Sequence, residues 1–390
     1  MLMRNIQYTC LFMATACLSG CAWWAGNEAA DDVGKVAASS EIEVVWSTDV
    51  DTRKPADALA YGHVAIAGQG DAARVVIGGR DAHAHIYDMS GSEQFRVALL
   101  EASDSGAAAL ASGIVVLGDT GAVLYGIDPM LGKIVWQLNL SSPVTGTPVA
   151  IADDVLVQTT DNRIYRVSSK GEKLWSFAGQ PGGLGLYLNA SPLFHDGRIF
   201  ALLTNGDAIA LDAQSGDLIW RKQLLLDTDA SHLGSLRAPQ AVPVWMSELN
   251  LDGNRAVDLI FFSFYQGEVF ALNRDDGNTL LSHTMSLKSS PLIKGGNVYV
   301  ADIHGVVQAL EQSSGTVLWQ QKLSTGELVG PVLFDGDLWL ADDLGHVFRV
   351  DMQGNIRAHR QLPGAIDRSP VVTTEGIFVH SSLGGLYLVH

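Results

Sequence analysis

An all-β fold, an eight-bladed β-propeller built from four-stranded antiparallel blades, is what the 390-residue chain predicts. Three observations carry it. A glycine, three residues and a large apolar residue recur with a period of about forty. Each period contains four short strand-like runs separated by turn residues. No segment sustains a helical period.

The elements follow in chain order. Residues 1–20 read as an export signal, with Arg4 at its start and an apolar run including Leu11, Phe12, Met13, Ala14 and Ala16. That run is short for a bilayer span. It ends in Leu18-Ser19-Gly20-Cys21, which resembles the lipobox of bacterial lipoproteins. The resemblance implies lipidation of Cys21 and, with Ala22 rather than aspartate after it, sorting to the outer membrane. Cys10, Cys17 and Cys21 are the three cysteines, so no disulfide framework or cysteine-based metal site is available beyond residue 21. Residues 21–41, rich in Ala, Asp, Gly and Ser, read as a lipidated tether, and residues 42–390 as the propeller.

The repeat is clearest in Gly132–Trp136, Gly171–Trp175, Gly216–Trp220 and Gly315–Trp319, with weaker copies at Gly91–Phe95, Gly277–Leu281 and Gly354–Ala358. Successive glycines are 41, 39, 45, 61, 38 and 39 residues apart, a regular period with two insertions. The sixth copy shows four runs: Ser290–Ile293, Asn297–Ala301, Val306–Leu310 and Val317–Trp319. Small-residue–proline pairs (Thr147-Pro148, Ser191-Pro192, Ser290-Pro291, Gly330-Pro331, Ser369-Pro370) open the innermost strands, where proline at the first position is tolerated. The tryptophan of the outermost strand fills the wedge where the ring widens. The last repeat has three strands, and Glu43-Val-Val-Trp46 supplies the missing fourth, so the two ends close one blade and remove exposed sheet edges. Seven glycine-marked units and this shared blade give eight.

The segment Ala210-Leu-Asp-Ala-Gln-Ser-Gly-Asp-Leu-Ile-Trp220 resembles the PQQ-like propeller repeat. Combined with the lipobox and eight repeats, residues 18–390 resemble the BamB family, lipoproteins of the outer-membrane β-barrel assembly (BAM) machinery. The resemblance implies a non-catalytic periplasmic scaffold that binds BamA through its POTRA domains and assists insertion of β-barrel proteins, with unfolded outer-membrane proteins as further partners. It places the contact surface on the loops Gly179–Asn189 and Leu225–Val242. The first loop holds Leu184, Leu186 and Tyr187 but lacks the arginine of the family pattern. In the second, Arg237 and Pro239 stand where an acidic pair is expected, and Asp227 and Asp229 lie earlier. The altered loops leave a second reading, a paralogue docking another envelope or secretion component. Independently of any family, Gly-Gly-Leu-Gly-Leu-Tyr-Leu is an apolar loop with an aromatic, the composition of an interaction site.

A net charge of −17 argues against nucleic acid, because phosphate binding needs Lys and Arg. Quinoprotein dehydrogenases typically use vicinal cysteines at their cofactor, a pair missing past residue 21, so PQQ is not expected. Gly68-Gln-Gly70-Asp-Ala-Ala73 imitates part of a dinucleotide loop, but a strand follows rather than a helix, and a hairpin turn accounts for it. His83 and His85 share a strand face without a third ligand and read as a pair at a turn edge. Within the longest insertion, Glu248, Asn250, Asp252, Asn254 and Asp258 alternate oxygen side chains around a glycine, as a calcium loop does. Position one is Glu and no bidentate Glu closes the set, so an extended hairpin with Asx turns is the other reading.

Overall fold

A computed structural model of the protein describes residues 40–50, 62–180, 191–224, 240–250, 256–265 and 267–390. The strands form eight sheets. Seven blades follow one another, each running from the ring axis outward: 65–98, 108–139, 149–178, 193–223, 244–284, 292–322 and 328–361. The eighth joins the chain ends, with Val44–Asp49 hydrogen-bonded outside Gly385–Val389, Ile377–His380 and Val371–Val372. Apart from one edge strand added to the seventh blade, pairing within the blades is antiparallel. Among the described residues the single helical element is the 3-10 turn Gly70–Ala72, between two strands of the first blade, as a hairpin requires.

Each second and third strand is buried along nearly its whole length, as in Val155, Leu156 and Val157, because it is covered by a blade on either side. Eight apolar clusters result, most of them drawn from two adjacent blades. The core is therefore distributed around the ring rather than concentrated on the axis.

The glycine–tryptophan repeat works between blades, not within one. Trp136 Nε1 donates to the carbonyl of Ser169 in the next blade at 2.6 Å, and a Cβ on Gly171 would stand 2.7 Å from the same indole. Trp46 stands so over Gly91, Trp175 over Gly216, Trp220 over Gly277 and Trp319 over Gly354. These glycines have positive φ, so the turn and the approaching ring ask for the same residue. Every outer strand carries a register shift immediately before its wedge residue, as between Ile134 and Trp136. This bulge turns the indole inward and leaves the preceding aliphatic exposed: Val135 is 50% exposed and Leu318 51%.

Three details differ from expectation. Pro148, Pro192, Pro291 and Pro370 directly precede their inner strands, whereas Pro331 lies inside Leu328–Phe334, where the register shifts between Val329 and Val332. A bulge lacks the ladder hydrogen bond that proline cannot make. The seventh blade has five strands, because Ser40–Glu41 adds parallel to Ile356–Gln361 on the outer edge. Finally, Ala358 is too small to fill the seam between blades seven and eight. Ile42, 1% exposed, packs there with Trp339, Val389 and Ala358.

Candidate functional site

Consecutive blades are joined by loops running from an outer strand back to the next inner strand. Because strand direction alternates in four-stranded blades, these loops share one face of the ring. The two loops expected to dock a partner are of this kind. One joins Lys173–Ala178 to Leu193–His195 and the other joins Leu218–Gln223 to Val244–Asn250, so they flank the fourth blade. Leu184, Leu186 and Tyr187, and Asp227, Asp229 and Arg237, lie outside the described residues, as does Cys21.

What anchors the first loop is visible. Asn162, fully buried at φ +64°, donates from Nδ2 to the carbonyl of Gln180 at 2.8 Å, and its own carbonyl accepts from Gly179 N at 3.0 Å. Its Oδ1 accepts from Thr204 N and Oγ1 of the fourth blade at 2.9 and 3.0 Å. One side chain thus fixes the loop's departure point to both neighbouring blades. Asparagine tolerates this left-handed backbone, and its amide satisfies three groups at once.

Both loops return at the axis. Ser191-Pro192 after the first and Gln240, Ala241 and Val242 after the second line a cavity of about 360 Å³. Its remaining walls come from His63, Thr147, Val149, Leu193 and Phe194, and from Lys288–Ser290 and Asp367–Ser369. Six of the eight blades or their entry segments contribute. Lys288 Nζ is 2.6 Å from Glu327 Oε2 and 3.2 Å from Asp367 Oδ1. Burial pulls the Lys288 ammonium down, but these two carboxylates outweigh it and hold its pKa above the ordinary lysine range. Tyr265 donates its hydroxyl to Glu327 Oε1 at 2.7 Å. His63, 3.3 Å from Thr147 Oγ1, has its pKa lowered to about 3, first by burial and then by Arg368 and His380. Burial likewise lowers His380 to about 4. Both rings are neutral at pH 7.

The other singled-out residues sort as follows. His83 sits at the turn edge, with Nδ1 2.9 Å from the carbonyl of Asp81. His85 does not: it is fully buried, with Nδ1 2.8 Å from Glu93 Oε1 and Nε2 3.1 Å from Asp81 Oδ1. The fifth-blade insertion is a hairpin in which Leu249 pairs with Val257 and Asn250 with Ala256. Asp252 and Asn254, and the side chains of Glu248 and Asn250, lie outside the described residues. The carboxylate of Asp258 stands 3.6 Å from Arg274 Nη1. Among the described residues no cluster of three or more His, Cys, Asp or Glu is placed to hold a metal ion. Sequence reasoning missed the cavity itself, because its polar walls are distributed over the chain from residue 63 to residue 369.

Comparison with known proteins fits this architecture. The chain is 24% identical over 304 residues to outer membrane protein assembly factor BamB of Yersinia pestis, covering 77% of this chain and 75% of the relative. Its fold superposes on the crystal structure of BamB from Moraxella catarrhalis with a TM-score of 0.73 at 20% identity, covering 90% of this chain and 99% of that one. Quinohemoprotein alcohol dehydrogenase from Comamonas testosteroni shares the fold, with a TM-score of 0.68 at 12% identity over 91% of this chain and 77% of that one. The family described as outer membrane protein assembly factor BamB matches residues 34–305 and 303–389, and the chain belongs to that family.

Proposed function

We propose that this protein is a non-catalytic scaffold lipoprotein of the BAM machinery, held by lipid on Cys21 at the periplasmic face of the outer membrane. It docks the POTRA domains of BamA and assists insertion of β-barrel proteins. Family membership carries this reading. Two features support it. Both candidate docking loops leave one face of the ring on either side of the fourth blade. The first holds Leu184, Leu186 and Tyr187 within a glycine-rich stretch. An aromatic and two leucines set among glycines have the composition of a small interaction hot spot. Catalysis is not part of the proposal, since the chain offers no cysteine pair past Cys21 for a quinone site.

The test is affinity purification of the tagged protein from gently solubilised envelopes of its own host. Recovery of BamA, lost when Leu184 and Leu186 are changed to Asp, is the expected result. Recovery of another envelope component without BamA would overturn the BAM assignment and favour the paralogue reading, to which the departures at Arg237 and Pro239 point.

A further inference from the structure

The hairpins between second and third strands share a face of the ring with the inter-blade loops, and the third blade's is built differently. The last residue of these turns has positive φ. It is alanine or glycine at Ala82, Ala122, Gly206, Gly305, Gly345 and Gly384, but asparagine at Asn162. Its carbonyl accepts from the backbone N–H of the residue that leaves the outer strand of the same blade. In the other six turns that residue is Leu99, Leu140, Leu224, Leu323, Leu362 or Val50, whereas here it is Gly179. The two exceptions meet. A Cβ on Gly179 would stand 2.7 Å from the carbonyl oxygen of Asn162 and 2.6 Å from Cδ1 of Leu203, a buried side chain of the next blade. Glycine thus makes room where asparagine and Leu203 fill.

The second residue of such a turn donates its amide backward to the preceding inter-blade loop. Thr120 reaches the carbonyl of Ala102 at 2.8 Å, Thr160 that of Pro143 at 3.0 Å and Ser382 that of Ala365 at 2.8 Å. Ile303 and Asp343 do the same to Ser286 and Glu327 at 3.2 and 3.3 Å. These bonds tie the loops to the ring. In the fourth blade the same amide, that of Thr204, is taken instead by Asn162 Oδ1 at 2.9 Å.

We infer that Asn162 is a positioning residue for partner docking, an inference that rests on the scaffold reading above. Its side chain does the work that a loop carbonyl does elsewhere, so no carbonyl of the loop 179–190 is called on for that bond. The base of the loop is clamped through Gly179 and Gln180, and the rest is shaped by the partner rather than by the ring. Without the asparagine amide, Thr204 N lacks its acceptor, which is costly. The loop then folds back to supply one, as its counterparts do, and docking must first break that bond.

The test titrates full-length BamA of the same host, in detergent, onto the immobilised protein by biolayer interferometry. Asn162→Ala and Asn162→Gly install the residues that the other turns use, so the turn itself is kept. Both weaken docking about ten-fold, the equivalent of one hydrogen bond. Gln158→Ala is the matched control. It removes another buried bond across the same seam, from Nε2 to the carbonyl of Leu202 at 3.0 Å, and leaves affinity within about two-fold. Unchanged affinity in the Asn162 variants, or an equal loss in Gln158→Ala, overturns the inference and leaves the scaffold reading standing. A wild-type chain that does not bind BamA overturns both. Circular dichroism establishes folding, and where one Asn162 variant does not fold the other decides.

Discussion

Trp136 stands between two glycines, and that arrangement predicts a substitution whose sign depends on background. On one side is Gly171 of the next blade; on the other is Gly126, its cross-strand partner in the same blade. Gly126 has ordinary strand backbone, so alanine there meets no φ penalty. A Cβ at that position would, however, fall inside the indole of Trp136. Gly126→Ala is therefore an overpacking substitution, expected to cost about 1–3 kcal/mol. Trp136→Ala removes a half-buried indole and its 2.6 Å hydrogen bond to Ser169, a loss of about 3 kcal/mol, the low end for such truncations. In the Trp136→Ala background the clash is gone. Gly126→Ala then stabilises by roughly 0.5–1 kcal/mol, because alanine loses less backbone entropy than glycine in a strand. The coupling between the two sites is thus about 1.5–4 kcal/mol, well above the additivity error of about 0.5 kcal/mol. Urea unfolding followed by tryptophan fluorescence and far-ultraviolet circular dichroism measures all four corners of the cycle. Additive costs would show that the indole does not pack on Gly126.

Two further outcomes follow from the same geometry, and a third from the proposed lipid anchor. Ile42→Ala leaves the seam between blades seven and eight without a filler and lowers unfolding free energy by about 2–5 kcal/mol, whereas the exposed Val45→Ala changes it by under about 0.5 kcal/mol. The folded pKa values of His63 and His380 lie below that of an unfolded histidine, so the unfolded chain binds more protons as pH falls below about 6.5. Stability consequently drops between pH 6.5 and 5 with a slope of up to about 1.4 kcal/mol per pH unit for each ring; His63→Gln with His380→Gln reduces that slope, and an unchanged slope would refute the burial of these rings. Burial shifts His283 and His359 in the same direction, so some slope persists in the double variant. Cys21→Ser is expected to release the protein from the membrane fraction into the periplasmic extract, and retention in the membrane would count against the lipid anchor.

The propeller was legible because its repeat is a contact written twice. A glycine that permits a turn and a tryptophan that must be buried recur together, even though Gly91, Gly171, Gly216, Gly277 and Gly354 each serve the tryptophan of the preceding blade. The closing blade was equally legible, since a lone Trp-bearing strand at one end matches a three-stranded remnant at the other. The seam at Ala358 was not. Its filler, Ile42, is 316 residues away and carries no repeat mark. Nor was His85, whose two carboxylate partners come from a turn and a neighbouring strand. The cavity is the extreme case: Thr147 meets His63 across 84 residues and Lys288 meets Asp367 across 79. Each is an unremarkable polar residue in its own repeat, and chemistry appears only when the ring brings their strand starts to one axis.

The parallel fifth strand of the seventh blade also has a mechanical meaning. Ser40 and Glu41 pair with Ala358 and His359, Arg360 grips the carbonyl of Ile42 at 2.8 Å, and Glu43 exchanges hydrogen bonds with His390 at 3.1 and 3.0 Å. Tension applied to the chain ahead of Ser40 loads these bonds first. The closing strand Val44–Asp49, whose loss would open the ring, lies behind them in the line of force. The strap is a strain relief, like the clamp that keeps a cable's pull off its solder joint. A protein moored by its end could be tugged without its ring being unzipped.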